Sequence, residues 1–359
     1  RDGGLRYFGK GVRKAVRKVN GRVALKLVGK SCVEQKKIDD ILIEIDGTLD
    51  KHRIGANALV ACSMAIARAG AAAKKQPLYE YLNKIYSSLI GKKILMKTPQ
   101  GYFNVLNGGV HAANKLAFQE FMIVPSASKF SMQLRMASEI YHCLQKLLIK
   151  RYSSFAIDVG DEGGFAPPIA RPEDALNLLL KAINLAGYEG KVSFAMDVAA
   201  SEFYFQRKGR SKESGEYRAH KVFKSTGLKN YYKQLCDKYP IVSIEDPFEE
   251  NAYSDFADLR LLLKNKVQVV GDDLTVTNVE RVQAAITENS ANCLLLKVNQ
   301  IGTVSEAMAA AALAQKAGWN VMVSHRSGET SDTFIADLSV GIGSGQIKSG
   351  APCRSERVA

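Results

Sequence analysis

The 359-residue sequence lacks the features of a membrane-spanning or disulfide-stabilised protein. No stretch approaches the roughly 20 uninterrupted apolar residues needed to cross a bilayer, because the apolar run near residues 57–73 contains Arg68. The six cysteines are scattered and form no CxxC pair, and no signal peptide is recognisable. We therefore expect a soluble chain with free thiols, cytoplasmic and without a membrane span.

What the sequence does contain is enough apolar residues for a core, and an excess of positive charge. Hydrophobic residues make up 46% of the chain and charged residues 24%, which predicts one large or two moderate folded domains. The formal net charge of +14 raises the question of an acidic partner. Charge alone does not select among nucleic acid, an acidic protein surface and an anionic membrane, so nucleic-acid binding is not supported.

Two segments carry dense positive charge. The first thirty residues hold ten Lys or Arg against Asp2 alone, and the spacing of Phe8, Val12, Val16 and Val19 favours a basic surface helix over a transit peptide. The second segment is residues 207–224, which is either a solvated loop or a docking site for an acidic protein. Its basic residues are Arg207, Lys208, Arg210, Lys212, Arg218, His220, Lys221 and Lys224.

The hydrophobic pattern changes along the chain. Residues 1–94 are predicted to be helical, with apolar positions three and four apart in 38–45 and 56–73 and no strand pair. After Lys191, short apolar runs alternate with amphipathic segments such as 303–317, a pattern typical of βα units. We predict an α/β protein with a smaller, mostly helical domain over residues 1–94 and a catalytic barrel domain over residues 95–359.

Titratable residues follow six predicted strands in succession. The strands cover residues 192–196, 241–244, 267–270, 294–296, 321–324 and 346–347, and they end at Asp197, Glu245, Asp272, Lys297, His325 and Lys348. A charged residue is costly inside a parallel strand but expected at its C-terminal end, where barrel active sites lie. Each residue alone is explained by a surface or helix-cap position, whereas the set of six predicts a barrel rim that carries chemistry.

The rim residues predict a metal site and a base. Asp197, Glu245 and Asp272 form an oxygen-only set, which suits Mg²⁺ better than zinc. Lys297 ends an apolar strand, and we expect burial and the neighbouring Lys348 to lower its pKa so that it acts as a base. The alternative is that Lys297 forms a structural ion pair with Asp272.

Two further segments supply a phosphate-binding group and a general acid. Arg326 and Ser327 follow a predicted strand and would hold a phosphate group. Glu162 on the glycine-rich turn 160–164 and Glu120 between apolar residues are carboxylates that, if paired, hold one proton for general-acid catalysis. Together these groups suit β-elimination next to a carboxylate, in which a base removes a carbon-bound proton and an acid protonates the leaving hydroxyl.

Six segments carry a resemblance to the enolase family. They are residues 104–112, 119–123, 159–164, 243–248, 272–278 and 324–330. Their order and spacing are similar to enolase from Arg1 to Ala359. The resemblance implies an (α/β)8 barrel that departs from all-parallel order, preceded by an N-terminal α+β domain. It also implies a homodimeric, Mg²⁺-dependent lyase of glycolysis and gluconeogenesis that interconverts 2-phosphoglycerate and phosphoenolpyruvate; the use of a lysine base with Mg²⁺ is itself known chemistry of this superfamily.

The resemblance also implies a role for each site residue. Asp197, Glu245 and Asp272 would bind Mg²⁺, Lys297 would be the base, and Glu162 backed by Glu120 would be the acid. Lys348 would hold the substrate carboxylate, Arg326 and Ser327 the phosphate, and His111 and His325 would line the pocket.

Parts of the family pattern are not found between Arg1 and Ala359. Enolases usually begin with a three-stranded meander and a mobile Ser-Gly-Ala-Ser-Thr-Gly loop that contributes to a second Mg²⁺ site, and they end in a further helix. We expect these segments in a longer protein. Val110 and Ala113 also stand where the family commonly has glycine nearby, which would stiffen the loop. The alternative function is a structural or docking subunit of a larger, for example cytoskeletal, assembly with reduced or unused catalysis.

Overall fold

The structure is a computed structural model that describes residues 2–206, 215–328 and 330–359. Residues 2–94, the described part of the predicted first domain, form helices and no strand, as predicted. The helices are α1 (Arg13–Lys18), α2 (Ala24–Leu27), α3 (Gln35–Asp46), α4 (Ala56–Ala73) and α5 (Leu78–Ile90). The division of the chain at residue 94 stays a prediction.

The basic helix predicted near the N-terminus begins later than expected. A short turn at Arg6–Gly9 contains three residues at positive φ, Tyr7, Phe8 and Gly9. Helix α1 starts only at Arg13 and continues through a π-helical turn, Val19–Val23, into α2. Phe8 is 95% exposed, whereas Val23 is buried in a small core with α3 and α4. Of the four residues used for the prediction, Phe8, Val12 and Val16 are exposed, and only Val19 packs against the same small core as Val23.

Helix α4 is the one helix in the described ranges that is long and apolar enough to cross a membrane by length and composition. This is weak evidence for a span, because core helices of soluble proteins have the same composition. Of its residues, 39% are buried inside the protein. Its Arg68 also forms a 2.9 Å ion pair with Asp332, a residue of the barrel segment.

Eight strands close into a barrel. They are β1 (Gln100–Asn107), β2 (Glu120–Pro125), β3 (Val192–Asp197), β7 (Ile241–Glu245), β8 (Gln268–Gly271), β9 (Cys293–Leu296), β10 (Asn320–Ser324) and β11 (Gly345–Lys348). Their order around the barrel is β1-β11-β10-β9-β8-β7-β3-β2. Strand β2 runs antiparallel to both of its neighbours, and the other neighbouring strands are parallel. The expectation of a barrel that is not all-parallel is confirmed.

Helices and a small sheet surround this barrel. The helices are α6 (Phe130–Tyr152), α7 (Pro172–Leu185), α8 (Ser225–Lys238), α9 (Tyr253–Leu262), α10 (Val279–Thr287), α11 (Val298–Ile301), α12 (Val304–Lys316), α13 (Phe334–Gly341) and α14 (Ser355–Val358). The small sheet consists of β4 (Tyr204–Phe205), β5 (Glu216–Arg218) and β6 (Val222–Phe223). Because successive strand side chains point to opposite faces, one set fills the barrel interior, including Tyr102, Met122 and Met322, and the other packs against the helices.

The six predicted strands are confirmed to within one residue at each end. Asp197, Glu245 and Lys348 are the last residues of their strands, and Asp272, Lys297 and His325 follow theirs directly. All six therefore lie at the C-terminal rim of the barrel. Strands β1 and β2 were not predicted. Buried Asn104 interrupts the apolar residues of β1, whereas residues 121–125 of β2 form a continuous apolar run outside the alternating pattern that begins after Lys191.

Candidate active site

A cavity of about 190 Å³ opens at the C-terminal rim of the barrel. Eight of the predicted site residues line it: His111, Glu120, Glu162, Asp197, Asp272, Lys297, Arg326 and Ser327. The other three, Glu245, His325 and Lys348, are buried next to them. The structure thus gathers at one place side chains from 111 to 348 in the sequence.

Lys348 lies at the centre of a buried carboxylate cluster. Its Nζ is 2.8 and 2.9 Å from the two carboxylate oxygens of Glu245, 3.1 Å from Glu120 Oε1 and 3.3 Å from Asp197 Oδ2. Burial lowers the pKa of Lys348, but these carboxylates more than offset that effect and hold the pKa well above its usual value. Lys348 is therefore cationic and bound to two of the predicted metal ligands.

Lys297 forms a buried ion pair with Asp272 Oδ2. Burial alone lowers the pKa of Lys297, but the Asp272 carboxylate outweighs it, so the pKa is raised above its usual value. The prediction of a lowered pKa is wrong for this structure, because Asp272 contacts the amine directly whereas Lys348 is held by other carboxylates. The alternative pairing of Lys297 with Asp272 is what the structure shows, and Gln300 Nε2 donates a 2.8 Å hydrogen bond to the other Asp272 oxygen.

The predicted metal ligands fall into two adjoining groups. Asp197 and Glu245 meet at Lys348, whereas Asp272 lies with Asp246 and Asp273, whose ligand oxygens are all within 4.8 Å of one another. Asp246 and Asp273 were missed in the sequence, although each directly follows a predicted ligand. Asp246 accepts hydrogen bonds from the backbone N–H groups of Asp272 (3.0 Å) and Asp273 (2.6 Å).

The donor chemistry of these groups fits a hard divalent cation. All the candidate ligand atoms are carboxylate oxygens, the type that Mg²⁺ prefers. Burial and neighbouring carboxylates raise the pKa of Glu245 and of Asp246 well above the usual range, and they raise the pKa of Asp273 to about 6. Lys297 and Lys348 therefore do not fully neutralise the negative charge of these buried carboxylates.

Glu120 and Glu162 have opposite pKa shifts. Burial and the charge of Glu162 raise the pKa of Glu120 well above its usual value. Burial acts in the same direction on Glu162, but His325, Lys348 and hydrogen bonds lower its pKa below the usual range. Of the two carboxyls, Glu120 thus has the higher pKa and Glu162, the predicted acid, the lower one. The shared proton and the role of Glu162 as the acid stay predictions.

Ser327 and Arg326 are differently placed although they are adjacent in sequence. Ser327 Oγ donates a 2.6 Å hydrogen bond to Glu162 Oε1 and lies 2.8 Å from His111 Nδ1. Arg326 is exposed beside the cavity, and within the described parts of the chain its guanidinium has no recorded hydrogen bond or ion pair. Arg326 is therefore available to an anionic ligand, whereas Ser327 is already hydrogen-bonded to Glu162 and His111.

His325 should make the folded protein less stable as the pH falls. Burial lowers its pKa to about 3, while an unfolded histidine has a pKa of about 6.5. Between these values the unfolded chain binds a proton that the folded chain excludes, so stability falls as the pH drops from 6.5 towards 4. We expect His325→Gln to reduce this loss, by up to about 1.4 kcal/mol per pH unit, in urea unfolding measured from pH 7 to pH 4.5.

The control for His325 is His52→Gln. The His52 side chain is 66% exposed and lies next to Asp50 on the surface, so its replacement should leave the acid side of the stability profile nearly unchanged. Identical pH profiles for His325→Gln and the unsubstituted protein would refute the assignment.

The second basic segment is only partly described. Arg218 pairs with Glu216 at 2.6 Å and its guanidinium lies 4.3 Å from the centre of the Phe205 ring. Lys221 Nζ lies 4.9 Å from the centre of the Phe223 ring. Residues 207–214, with Arg207, Lys208, Arg210 and Lys212, and also Glu329, lie outside the described residues. The docking site stays a prediction.

Comparison with known proteins agrees with this geometry. Residues 95–359 match the model of the enolase C-terminal TIM barrel domain, and residues 1–82 match that of the enolase N-terminal domain. The chain is 51% identical to enolase of Eimeria tenella, 49% to enolase of Solanum lycopersicum and 51% to enolase 2 of Hevea brasiliensis. Each alignment covers 100% of this chain and 82% of the relative. The chain therefore belongs to the enolase family.

Proposed function

We propose that the protein catalyses the reversible, Mg²⁺-dependent dehydration of 2-phosphoglycerate to phosphoenolpyruvate. The observation that carries this proposal is the buried rim cluster, in which two lysines and the carboxylates of Glu120, Glu162 and the metal-ligand set meet around one small cavity. Such a cluster is expensive to bury unless it performs chemistry.

Lys297 is the proposed base that removes the carbon-bound proton next to the substrate carboxylate. Its Nζ reaches the cavity and is held by Asp272. To accept a proton, the amine must first lose its own, and that loss becomes easier when the negative charge of Asp272 is engaged elsewhere. Asp197, Glu245 and Asp272 would hold Mg²⁺, which supplies charge neutralisation for the enolised carboxylate.

Glu162 and Glu120 are the proposed acid pair for the leaving hydroxyl. The pKa of Glu120 is raised and that of Glu162 is lowered, and Glu162 lines the cavity with its two oxygens bonded to Asn104 and Ser327. In this scheme Glu162 receives a proton from Glu120 before it delivers one to the hydroxyl. His111 contacts the pair through Ser327.

The proposed anion contacts are Arg326 for the phosphate and Lys348 for the substrate carboxylate. Arg326 is exposed at the cavity and suited to a phosphate by its planar guanidinium. Lys348 is engaged by Glu120, Asp197 and Glu245, so contact with substrate requires it to exchange at least one of these partners. Ser327 would contribute to the phosphate site from its position beside Arg326.

The proposal extends to assembly and location. Family membership supports a homodimer in the cytoplasm, with residues 1–94 and 95–359 as its two domains. The alternative, a docking or cytoskeletal subunit with unused catalysis, is supported by the net charge of +14. Two described basic residues of the 207–224 segment already have partners within the chain: Arg218 pairs with Glu216, and Lys221 lies over the Phe223 ring.

The test is a direct assay of the purified full-length protein. We expect 2-phosphoglycerate to be converted to phosphoenolpyruvate, followed by the ultraviolet absorbance of the product, and we expect chelation of Mg²⁺ to stop the reaction. Product formation that persists after chelation would refute the metal-dependent scheme. A folded protein that forms no product with saturating substrate and Mg²⁺ would refute the enzyme and favour the docking role.

A further inference from the structure

A buried asparagine that the sequence analysis left without a role contacts the proposed acid. Asn104 on β1 has no exposed surface, and its Nδ2 donates a 2.9 Å hydrogen bond to Glu162 Oε2. Amide donors buried this deeply are costly unless bonded. The bond joins a residue fixed on a barrel strand to a residue on a loop.

The loop that carries Glu162 depends on β1 for its position. Residues 160–164 include three glycines, a composition that by itself fixes little. The backbone of the loop is joined to β1 by two hydrogen bonds, from Phe165 N to Val105 O (3.0 Å) and from Asn107 N to Phe165 O (2.8 Å). A Cβ added to Gly164 would lie 2.6 Å from Asn107 Oδ1, so the loop lies directly against the strand.

Two donors hold the two oxygens of the Glu162 carboxylate. Ser327 Oγ binds Oε1 at 2.6 Å and Asn104 Nδ2 binds Oε2 at 2.9 Å. Ser327 belongs to the loop after β10, whereas Asn104 belongs to a closed-barrel strand and its backbone N also donates to Gly350 O at 3.2 Å. Asn104 is thus the rigid member of the two donors.

We propose that Asn104 is a positioning residue for Glu162, holding the carboxylate in the orientation from which it transfers a proton to the leaving hydroxyl. The inference rests on the proposed function. In that reaction the C2–H bond breaks, with its proton going to Lys297 and its electron pair passing through the enolised carboxylate into a new C2=C3 double bond. The C3–O bond breaks as the leaving hydroxyl receives a proton from Glu162 and departs as water. Of Lys297 and Glu162, Asn104 is hydrogen-bonded to Glu162 alone.

The experiment separates the two proton transfers. In Asn104→Leu, which is close in size but has no donor, we expect kcat for elimination to fall about 10- to 100-fold, because a misplaced acid loses much of its contribution. KM for 2-phosphoglycerate should change less than about threefold. The exchange of the substrate C2 proton with solvent deuterium, followed by proton NMR at saturating Mg²⁺, should stay within about threefold, because Lys297 carries it out.

Two further variants exclude a general loss of packing. Asn104→Ala also removes the N–H donor but shortens the side chain instead of adding apolar atoms, so it should show the same split between elimination and exchange. Gln268→Leu removes a buried barrel amide that bonds to Ser243 and Gln346 instead, and it should lose stability without splitting the two rates.

The outcomes distinguish this inference from the proposed function. Unchanged elimination in both Asn104 variants, or elimination and exchange that fall together, would overturn the positioning role. The same split in Gln268→Leu would also overturn it. An unsubstituted protein that carries out neither elimination nor exchange would refute the proposed function, and the positioning role with it.

Discussion

Replacement of Lys297 by alanine is expected to abolish the conversion of 2-phosphoglycerate to phosphoenolpyruvate. Lys297 directly follows β9 and lines the rim cavity. It pairs with Asp272, whereas the other rim lysine, Lys348, is held by three carboxylates. General-base catalysis typically contributes about 10²- to 10⁴-fold to a rate. We expect kcat to fall by at least about 10³-fold in steady-state assays at saturating Mg²⁺, with exchange of the C2 proton lost in parallel.

The buried ion pair complicates this variant, because alanine would leave Asp272 without its cation. Lys297 holds the pKa of Asp272 below its usual value against the opposing effect of burial, so its removal is destabilising. Lys297→Arg is the matched control, since arginine keeps the charge beside Asp272 but does not give up its proton at neutral pH. A folded Lys297→Arg variant should be as inactive as Lys297→Ala. More than a few per cent of activity in either variant would exclude Lys297 as the base.

Sequence periodicity was sufficient to locate most of the barrel and its functional rim. The six predicted strands are short, mostly apolar runs, and the residue that ends each one is titratable. Burial on both faces of a parallel strand makes these signals strong. The same reasoning missed β1, in which Asn104 interrupts the apolar run, and β2, whose continuous apolar run lies before the alternating pattern that begins after Lys191. Their antiparallel pairing is set by barrel closure, which no local pattern encodes.

The side-chain partners at the rim were less predictable than the rim itself. Lys348 meets Glu120 because β11 pairs with β1 and β1 with β2, across 228 positions of sequence. Lys348 was expected to lower the pKa of Lys297. The direct contact with Asp272 raises that pKa instead, and the turn after β8 brings Asp272 to this position. The contact of Asn104 with Glu162 has the same origin, because a glycine-rich loop must fold back onto β1 before the two side chains meet.

Addition of Mg²⁺ is expected to raise the melting temperature of the protein. Asp197, Glu245, Asp246 and Asp272 are buried together at the rim, and burial with mutual repulsion raises the pKa of Glu245 and of Asp246. A divalent cation that binds the folded state neutralises this repulsion and binds the unfolded chain far more weakly. By mass action, Mg²⁺ at about one hundred times its dissociation constant stabilises the folded state by about 2.7 kcal/mol.

The stabilisation by Mg²⁺ should depend on Asp272 and not on surface acids. A stabilisation of this size corresponds to a shift of several degrees for a chain of this length. In Asp272→Asn the shift should largely disappear, because the variant loses one ligand charge while Gln300 keeps an acceptor at the same position. Asp50→Asn is the control, as the Asp50 side chain is 72% exposed and far weaker ion binding is expected at isolated surface carboxylates. Thermal scans of the three proteins over a Mg²⁺ titration decide the matter: an equal shift in all three would place the cation elsewhere, and no shift in the unsubstituted protein would exclude a Mg²⁺ site at the rim.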